Sequence, residues 1–526
     1  VPSPRPTTAD PASAPAPSRR RWLALAAPVF ALMIVGLDAT ILTVALPTLA
    51  NELSATTTEL QWFTDAYTLP FAGLLLPFGA LGDRIGRRKV LLGGLLLFGV
   101  GSLMVMGVDS SEGLIISRVV MGAGAAAITP LALAIVPLMF PAAERGKAMA
   151  ITTAGFALGV PLGPLAGGWL LDNYWWGSIF LINVPVVVLA IAGILLFVPE
   201  TKAANAKRLD LIGAVLSITG VTAFVYAVIE IPNAGWNDPA VLLPGVGGIV
   251  LLITLVTWLR KATAPLVDLD FFRNKRFTWA SIAVSNVMFI LFGVLFVVPQ
   301  FFQQVQGKDA FSTGLHLLPL ILALVVAARL GGRIAERSGP KAVITVGMIM
   351  WTIGLLILAG VDTDTDFTTT GSALALMGAA LGFTMPTTLD MILSSLPEEH
   401  VGAGSALANS MRQIGASIGV AVLGSTLNAL YRNGVDPDVP AQLPAEAQDA
   451  IRDNVAAAAK AADKLPAPQG GTLLESAQDA FVSGMSAVAL ICAALAALTT
   501  ILVIAFLPAR DKQPAPPKTA DAPTAA

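Results

Sequence analysis

Apolar runs of about 20 residues, separated by short polar breaks, recur from Trp22 to Leu507. A helix of about 20 apolar residues covers the roughly 30 Å hydrocarbon core of a bilayer. The runs fall near 22–46, 59–82, 90–108, 113–137, 147–171, 177–198, 209–230, 240–259, 277–300, 314–335, 341–360, 370–395, 404–428 and 480–507. The pattern predicts an all-α integral membrane protein of about fourteen transmembrane helices.

The breaks alternate in character. Arg84, Arg87, Arg88 and Lys89, then Arg145 and Lys147, Lys202, Lys207 and Arg208, Arg260 through Arg276, and Arg333, Arg337 and Lys341 mark every second break. The others are acidic or neutral, with Glu52, Asp109 and Glu112, Asp172, Asp238, and Asp362, Asp364 and Asp366. Lys and Arg in short loops stay cytoplasmic, so an even number of spans with both termini inside is expected. Residues 1–21, rich in Pro, Ala, Ser and Thr and ending in Arg19, Arg20 and Arg21, lack the apolar region of a signal peptide. They read as a disordered cytoplasmic tail, and 509–526 as a second cytoplasmic tail. One outer break is long: 429–479 is Ala/Pro-rich and net acidic, with a short helix expected around 445–464.

Composition agrees and removes alternatives. The chain is 55% hydrophobic and only 13% charged, with a mean hydropathy of +0.75, whereas about a quarter of the residues in soluble domains are charged. The arginines lie between apolar runs, with no basic tract interleaved with aromatics, which argues against a nucleic-acid partner. Cys492, the single cysteine, sits in an Ala/Leu-rich run and is expected to pack between helices; His316 and His400 are isolated and give no metal-ligand spacing. No GxxxxGK[ST] loop or HExxH pair occurs, so an ATP-driven pump and an embedded zinc hydrolase are disfavoured and no cofactor is expected. The Ala, Gly and Pro bias fits a bacterial gene, placing the chain in a bacterial cytoplasmic membrane.

A pattern repeats. GDRIGRRK, from Gly82, and GGRIAERSGPK, from Gly331, both join a small-residue helix end to a tight, Arg-bearing turn, and Gly82 and Gly332 stand about 250 residues apart. A six-helix half needs roughly 200 residues at about 20 per span, so two extra spans are expected between the halves. The resulting 6+2+6 plan divides the chain into bundles at 22–200 and 263–508 with an insert at 201–262.

Charges inside spans supply the candidate chemistry. Asp38 lies near the middle of an otherwise apolar run, where a charge costs roughly 2.5 to 3.5 kcal/mol and faces protein or a water-filled cavity. A carboxylate that attracts a cation when ionised and releases it when protonated is already an exchange device; a silently paired carboxylate is the alternative. Arg118, a few residues into the fourth span, could pair with a carboxylate, or simply snorkel. Asp65 and Asp390 are further candidate cation contacts, whereas Glu230 reads as an interfacial residue. Trp62 and Tyr67, with Phe63, Phe289, Phe292 and Phe296, could face lipophilic cations through their rings, although lipid-facing roles are commoner. Gly155, Gly159 and Gly163 share one helix face beside Pro161 and Pro164, a spacing that permits close helix approach and bending. Asp83 beside Arg84, Arg87 and Arg88 could form ion pairs present in one of two states.

Several stretches carry a family resemblance. GALGDRIGRRK (Gly79 to Lys89), LDATILTVALP (Leu37 to Pro47), RVVMGAGAA (Arg118 to Ala126) and GFALGVPLGPLAGG (Gly155 to Gly168) resemble signatures of the major facilitator superfamily. With QWFTDAYTL (Gln61 to Leu69), FLINVP (Phe180 to Pro185) and GSALANSMRQIGASIGVAVLG (Gly404 to Gly424), the chain is similar to the fourteen-span drug:proton antiporter branch, the multidrug and quaternary-ammonium exporters. The resemblance implies the major facilitator fold, two pseudo-symmetric six-helix bundles, and proton-coupled export of small lipophilic or cationic compounds by a monomer in membrane lipid. It places proton or cation exchange on Asp38 and Arg118, a conformational latch on Gly82, Asp83, Arg84, Gly86, Arg87 and Arg88, and a seal or hinge between halves on Gly155, Gly159, Gly163, Pro164 and Gly167. A dedicated exporter of one metabolite and a non-transporting membrane sensor stay open.

Overall fold

The computed structural model describes residues 18–202, 210–263, 265, 267–396, 401–435 and 445–508. The tails at 1–17 and 509–526, Lys207, Arg208, His400 and residues 436–444 of the long break lie outside them.

The chain is helical throughout the described residues. A first group comprises α1 (Ser18–Ala24), α2 (Ala26–Glu52), α3 (Thr57–Ile85), α4 (Arg87–Met104), α5 (Ser111–Met139), α6 (Ala142–Asn173), α7 (Ser178–Leu181) and α8 (Asn183–Phe197). Next come α9 (Leu211–Ala234) and α10 (Pro239–Lys261), which pack on each other. The last group comprises α11 (Lys275–Gln300), α12 (Ala310–His316), α13 (Leu318–Ser338), α14 (Pro340–Ala359), α15 (Phe367–Ser394), α16 (Val401–Gly434), α17 (Ala445–Asp453), α18 (Val455–Ala462) and α19 (Ala467–Phe506). Within the first group α2 packs on α6 and α3 on α5; in the last, α11 packs on α16 and α13 on α15. The groups meet where α3 lies on α16 and α6 on α12, and α9 touches both α3 and α16.

Among the described residues, thirteen helical stretches are long and apolar enough to cross a membrane. The expected span at 59–82 is not among them, although α3 is 29 residues long. Glu59, Gln61, Asp65 and Thr68 lower its hydropathy, and α3 tolerates them because α5, α9 and α16 rather than lipid enclose much of its surface. Two more expectations shift. Helix starts at Ser18, inside the expected tail, and α19 begins at Ala467, so the long break is shorter than 429–479 and holds two short helices, α17 and α18, instead of one.

Polar residues at the breaks close helix ends. Thr56 accepts from the Glu59 amide while Glu59 reaches back to the Thr56 amide, a reciprocal cap; Ser110, Asp238 and Asp309 likewise accept from the first-turn amides of α5, α10 and α12. Part of the acidity on this face is therefore capping. On the opposite, basic face, the repeat is visible in the backbone: Gly86 ends α3 at φ 128° and Gly339 ends α13 at φ 82°, values only glycine adopts readily.

Candidate functional site

Asp38 and Arg118 are brought together. Both are buried, and Arg118 Nη1 donates to Asp38 Oδ2 at 2.8 Å. The second carboxylate oxygen accepts from Asn183 Nδ2 at 3.4 Å. Arg118 Nε donates to the Phe63 carbonyl at 2.9 Å, and its guanidinium lies 4.3 Å from the Tyr67 ring centroid and 5.8 Å from that of Phe180. Five helices thus meet at one ion pair: α2 gives the acid, α5 the base, α3 a carbonyl and an aromatic face, α7 a second ring and α8 an amide.

Backbone chemistry explains how α2, α5 and α3 approach so closely. One turn beyond Arg118, Gly122 sits against the Tyr67 backbone, where a Cβ would lie 3.0 Å from Tyr67 Cα. On the other side α6 presents a ladder. A Cβ on Gly155, Gly159, Gly163 or Gly167 would lie within 2.7 Å of Val29 O, Leu37 N, Leu37 O or Ile41 Cγ1 of α2. Pro164 has no N–H, so the Val160 carbonyl loses its helical partner; Thr40 Oγ1 of α2 donates to that carbonyl at 2.8 Å. The glycine face is therefore turned into the first group. The boundary between groups is reached one step further on, where α12 seats against α6 and a Cβ on Gly168 or Gly314 would lie 2.6 Å from Ala310 O or Pro164 O.

A void of about 10 Å³ adjoins the pair, lined by Ala39, Leu42, Thr43, Thr64, Tyr67, Thr68 and Arg118 from the first group and Phe292 and Gln413 from the last. It has room for about one water. A wider recess of about 550 Å³, near Val361, Asp362 and Asp479, opens at the acidic face away from this pair.

The other expected residues disperse. Asp65 is buried, with Thr68 Oγ1 donating to its Oδ1 at 3.2 Å; it faces the boundary, where the Ser417 hydroxyl of α16 is within hydrogen-bonding reach. Trp62 does not line the void: it turns toward α9, 6.0 Å from the Tyr226 ring. Asp390 is exposed on α15, with no ion pair among the described residues, and Glu230 stays partly buried near the end of α9. Asp83 pairs with Arg87 at 2.8 Å, Arg88 Nη2 donates to Leu195 O at 2.8 Å and its amide to Glu200 at 3.2 Å, while Arg84 is exposed. These contacts all stay within the first group. Sequence reading missed Asn183, whose signal was an amide inside an otherwise apolar run, and Gln413 and Arg412, two polar residues inside the α16 motif.

Hydrogen bonds that join the groups cluster toward the acidic face. Gln303 Nε2 donates to Val44 O at 2.8 Å and the Phe311 amide to Asp172 at 3.1 Å. Asp453, ending α17, accepts from the Thr57 amide at 3.0 Å and lies 3.7 Å from Arg432; Lys460 Nζ donates to Asn51 O at 2.7 Å. Ser410, donating to Ala72 O at 3.1 Å, is at mid-depth.

Two packed groups of helices, most of them long and apolar enough to cross a membrane, with a buried ion pair beside the void that both groups line, have the architecture of a multi-pass membrane transporter. The chain belongs to the Major Facilitator Superfamily, whose sequence pattern matches residues 29–420. It is 32% identical to the multidrug efflux pump LfrA of Mycolicibacterium smegmatis, over 93% of this chain and 96% of that protein. It is 32% identical to the tetracenomycin C resistance and export protein of Streptomyces glaucescens, over 91% and 92%, and 31% identical to the methyl viologen resistance protein SmvA of Salmonella typhimurium, over 88% and 93%. Its fold matches the crystal structure of a bacterial homolog of the human lysosomal transporter Spinster, inward-facing and unoccupied, at a TM-score of 0.67 and 16% identity, over 94% of this chain and 100% of that one.

Proposed function

We propose that this chain is a proton-coupled antiporter that exports lipophilic, often cationic compounds across a bacterial cytoplasmic membrane by alternating access. The observation that carries this reading is the buried Asp38–Arg118 pair beside a void lined by both groups. On this reading the architecture is 6+2+6, the basic face is cytoplasmic, both termini lie there, and the acidic-face hydrogen bonds close an inward-facing state. A proton on Asp38 cancels its charge and breaks the pair. Arg118 is then left on the Phe63 carbonyl and the Tyr67 ring, free to take a new partner. The Asp83 to Arg88 contacts hold the first group's basic end in this state and are the candidate latch. Energy is sufficient: one proton crossing about 100 mV releases about 2.3 kcal/mol. The efflux and resistance names of the relatives support drug substrates.

The test uses protein in vesicles with an acid interior, to which ethidium or a quaternary ammonium dye is added. Wild type is expected to release internal protons on dye addition and Asp38→Asn not to. Absence of substrate-dependent proton movement across a chemically varied dye panel sinks the reading. Similarity to a tetracenomycin C export protein favours a second one, a dedicated exporter of one metabolite, which the same panel separates because only one scaffold would move protons.

A further inference from the structure

Arg412 of α16 is a second arginine inside the span Leu407–Gly434, five residues or about 8 Å along the helix from Leu407. Its environment differs from that of Arg118. Nη1 donates to the Asn409 amide oxygen at 2.9 Å, Nε is buried without a partner, and no carboxylate pairs with it among the described residues. An intramembrane guanidinium without an acid is costly and marks a ligand or a pathway.

The helix itself says which way it faces. Ser410 and Gln61's acceptor Ala421 lie on the arc against α3. Ile414 and Ile418 pack with Val221 and Val225 of α9, and Gly415 and Gly419 seat on the Ser285 and Phe289 backbone of α11. The arc left over carries Asn409, Arg412 and Gln413, and Gln413 lines the void shared with Arg118, Tyr67 and Phe292. Arg412, the neighbouring residue on the basic-face side, does not itself line the void and is partly exposed. Ser417, within hydrogen-bonding reach of Asp65 across the boundary, is five residues from Arg412 and so about 140° round α16, on the arc against α3.

We infer that Arg412 is a substrate-selecting residue that receives an anionic oxygen, a carboxylate or phenolate, so that the substrates include compounds carrying a free acid beside their cationic group. This rests on the export reading above and deepens it. A guanidinium offers several fixed donors to a carboxylate, and it repels a purely cationic ligand end.

The experiment compares two probes that share a cationic xanthene ring system: a rhodamine with a free benzoate carboxylate and the methyl ester of the same dye. Uptake kinetics are measured for full-length wild type, Arg412→Gln and Arg412→Lys in proteoliposomes with an imposed pH gradient. Loss of a charged hydrogen bond predicts that the acid-to-ester ratio of kcat/KM falls about tenfold or more in Arg412→Gln and recovers in part in Arg412→Lys. A structural role lowers both dyes together and leaves the ratio unchanged, which overturns the inference. Wild type that moves the ester but not the acid also overturns it, with the export reading intact. Wild type that moves neither, under a gradient that should drive both, overturns both.

Discussion

At the scale of single residues, the ion pair dominates. Removing one partner of a buried pair leaves an uncompensated charge and costs roughly 3 to 5 kcal/mol, whereas removing both costs less. Asp38→Asn and Arg118→Gln should therefore each lower thermal stability in detergent, and the double variant should be more stable than the sum of the two losses. Strict additivity in that cycle would show that the 2.8 Å contact is energetically silent. Both members were legible in the sequence because each is a charge inside an apolar run. Their setting was not. The Phe63 carbonyl belongs to the backbone and has no letter, and Asn183 gains meaning only when α8 is laid beside α2. Trp62 shows another limit. It lies five residues from Tyr67, about 140° round a helix, so the two rings could not share one cavity, and the phase relative to α9 was unknown until the helices were packed.

At the scale of elements, α2 and α6 behave as one unit. The spacing of Gly155, Gly159, Gly163 and Gly167 predicted close approach, but not the partner, since a stripe of small residues fits any neighbouring helix. Substituting Gly159 by Leu forces bulk against Leu37 and should cost about 1 to 3 kcal/mol or more. Gly247→Leu on α10, where a Cβ would meet nothing within 4 Å, is the control and should leave the melting temperature nearly unchanged. Equal effects at the two sites would refute the ladder as the cause. Helix α3 was legible as a span despite its polar residues because apolar residues surround them; its protein-enclosed surface explains why hydropathy alone leaves it out of the thirteen. Helices α17 and α18 were only partly legible, since an Ala-rich polar stretch carries no period that separates one helix from two.

At the scale of the molecule, the acidic face is a clasp between the two groups, with Asp453 at its centre. Thr57 and Arg432 favour its ionised form and Glu59 opposes it, but burial prevails and holds the carboxyl above its ordinary value. A group whose affinity for protons is higher when docked draws the docked state along with it. Docking is thus most favoured below the ordinary carboxylate value of about 4 and weakens as pH rises through the raised value. The check is a cysteine at Ala55, which accepts from Asn454, in a Cys492→Ala background, labelled by an impermeant reagent from the acidic face. Relative to Asp453→Asn, labelling should slow as the pH there falls from about 7 to about 5. The same slope in both proteins would exonerate Asp453.

The ladder between α2 and α6 has a mechanical corollary. Backbone seated on backbone from Val29 to Ile41, with Thr40 stitched to Val160, leaves no slack for one helix to slide along the other. The far end of α6 touches α12 at Pro164 and Gly168, while Asp38 rides midway along α2. The assembly is a lever with its handle at the seam and its load at the carboxylate. Any tilt that parts α6 from α12 therefore carries α2, and Asp38 with it, as one piece.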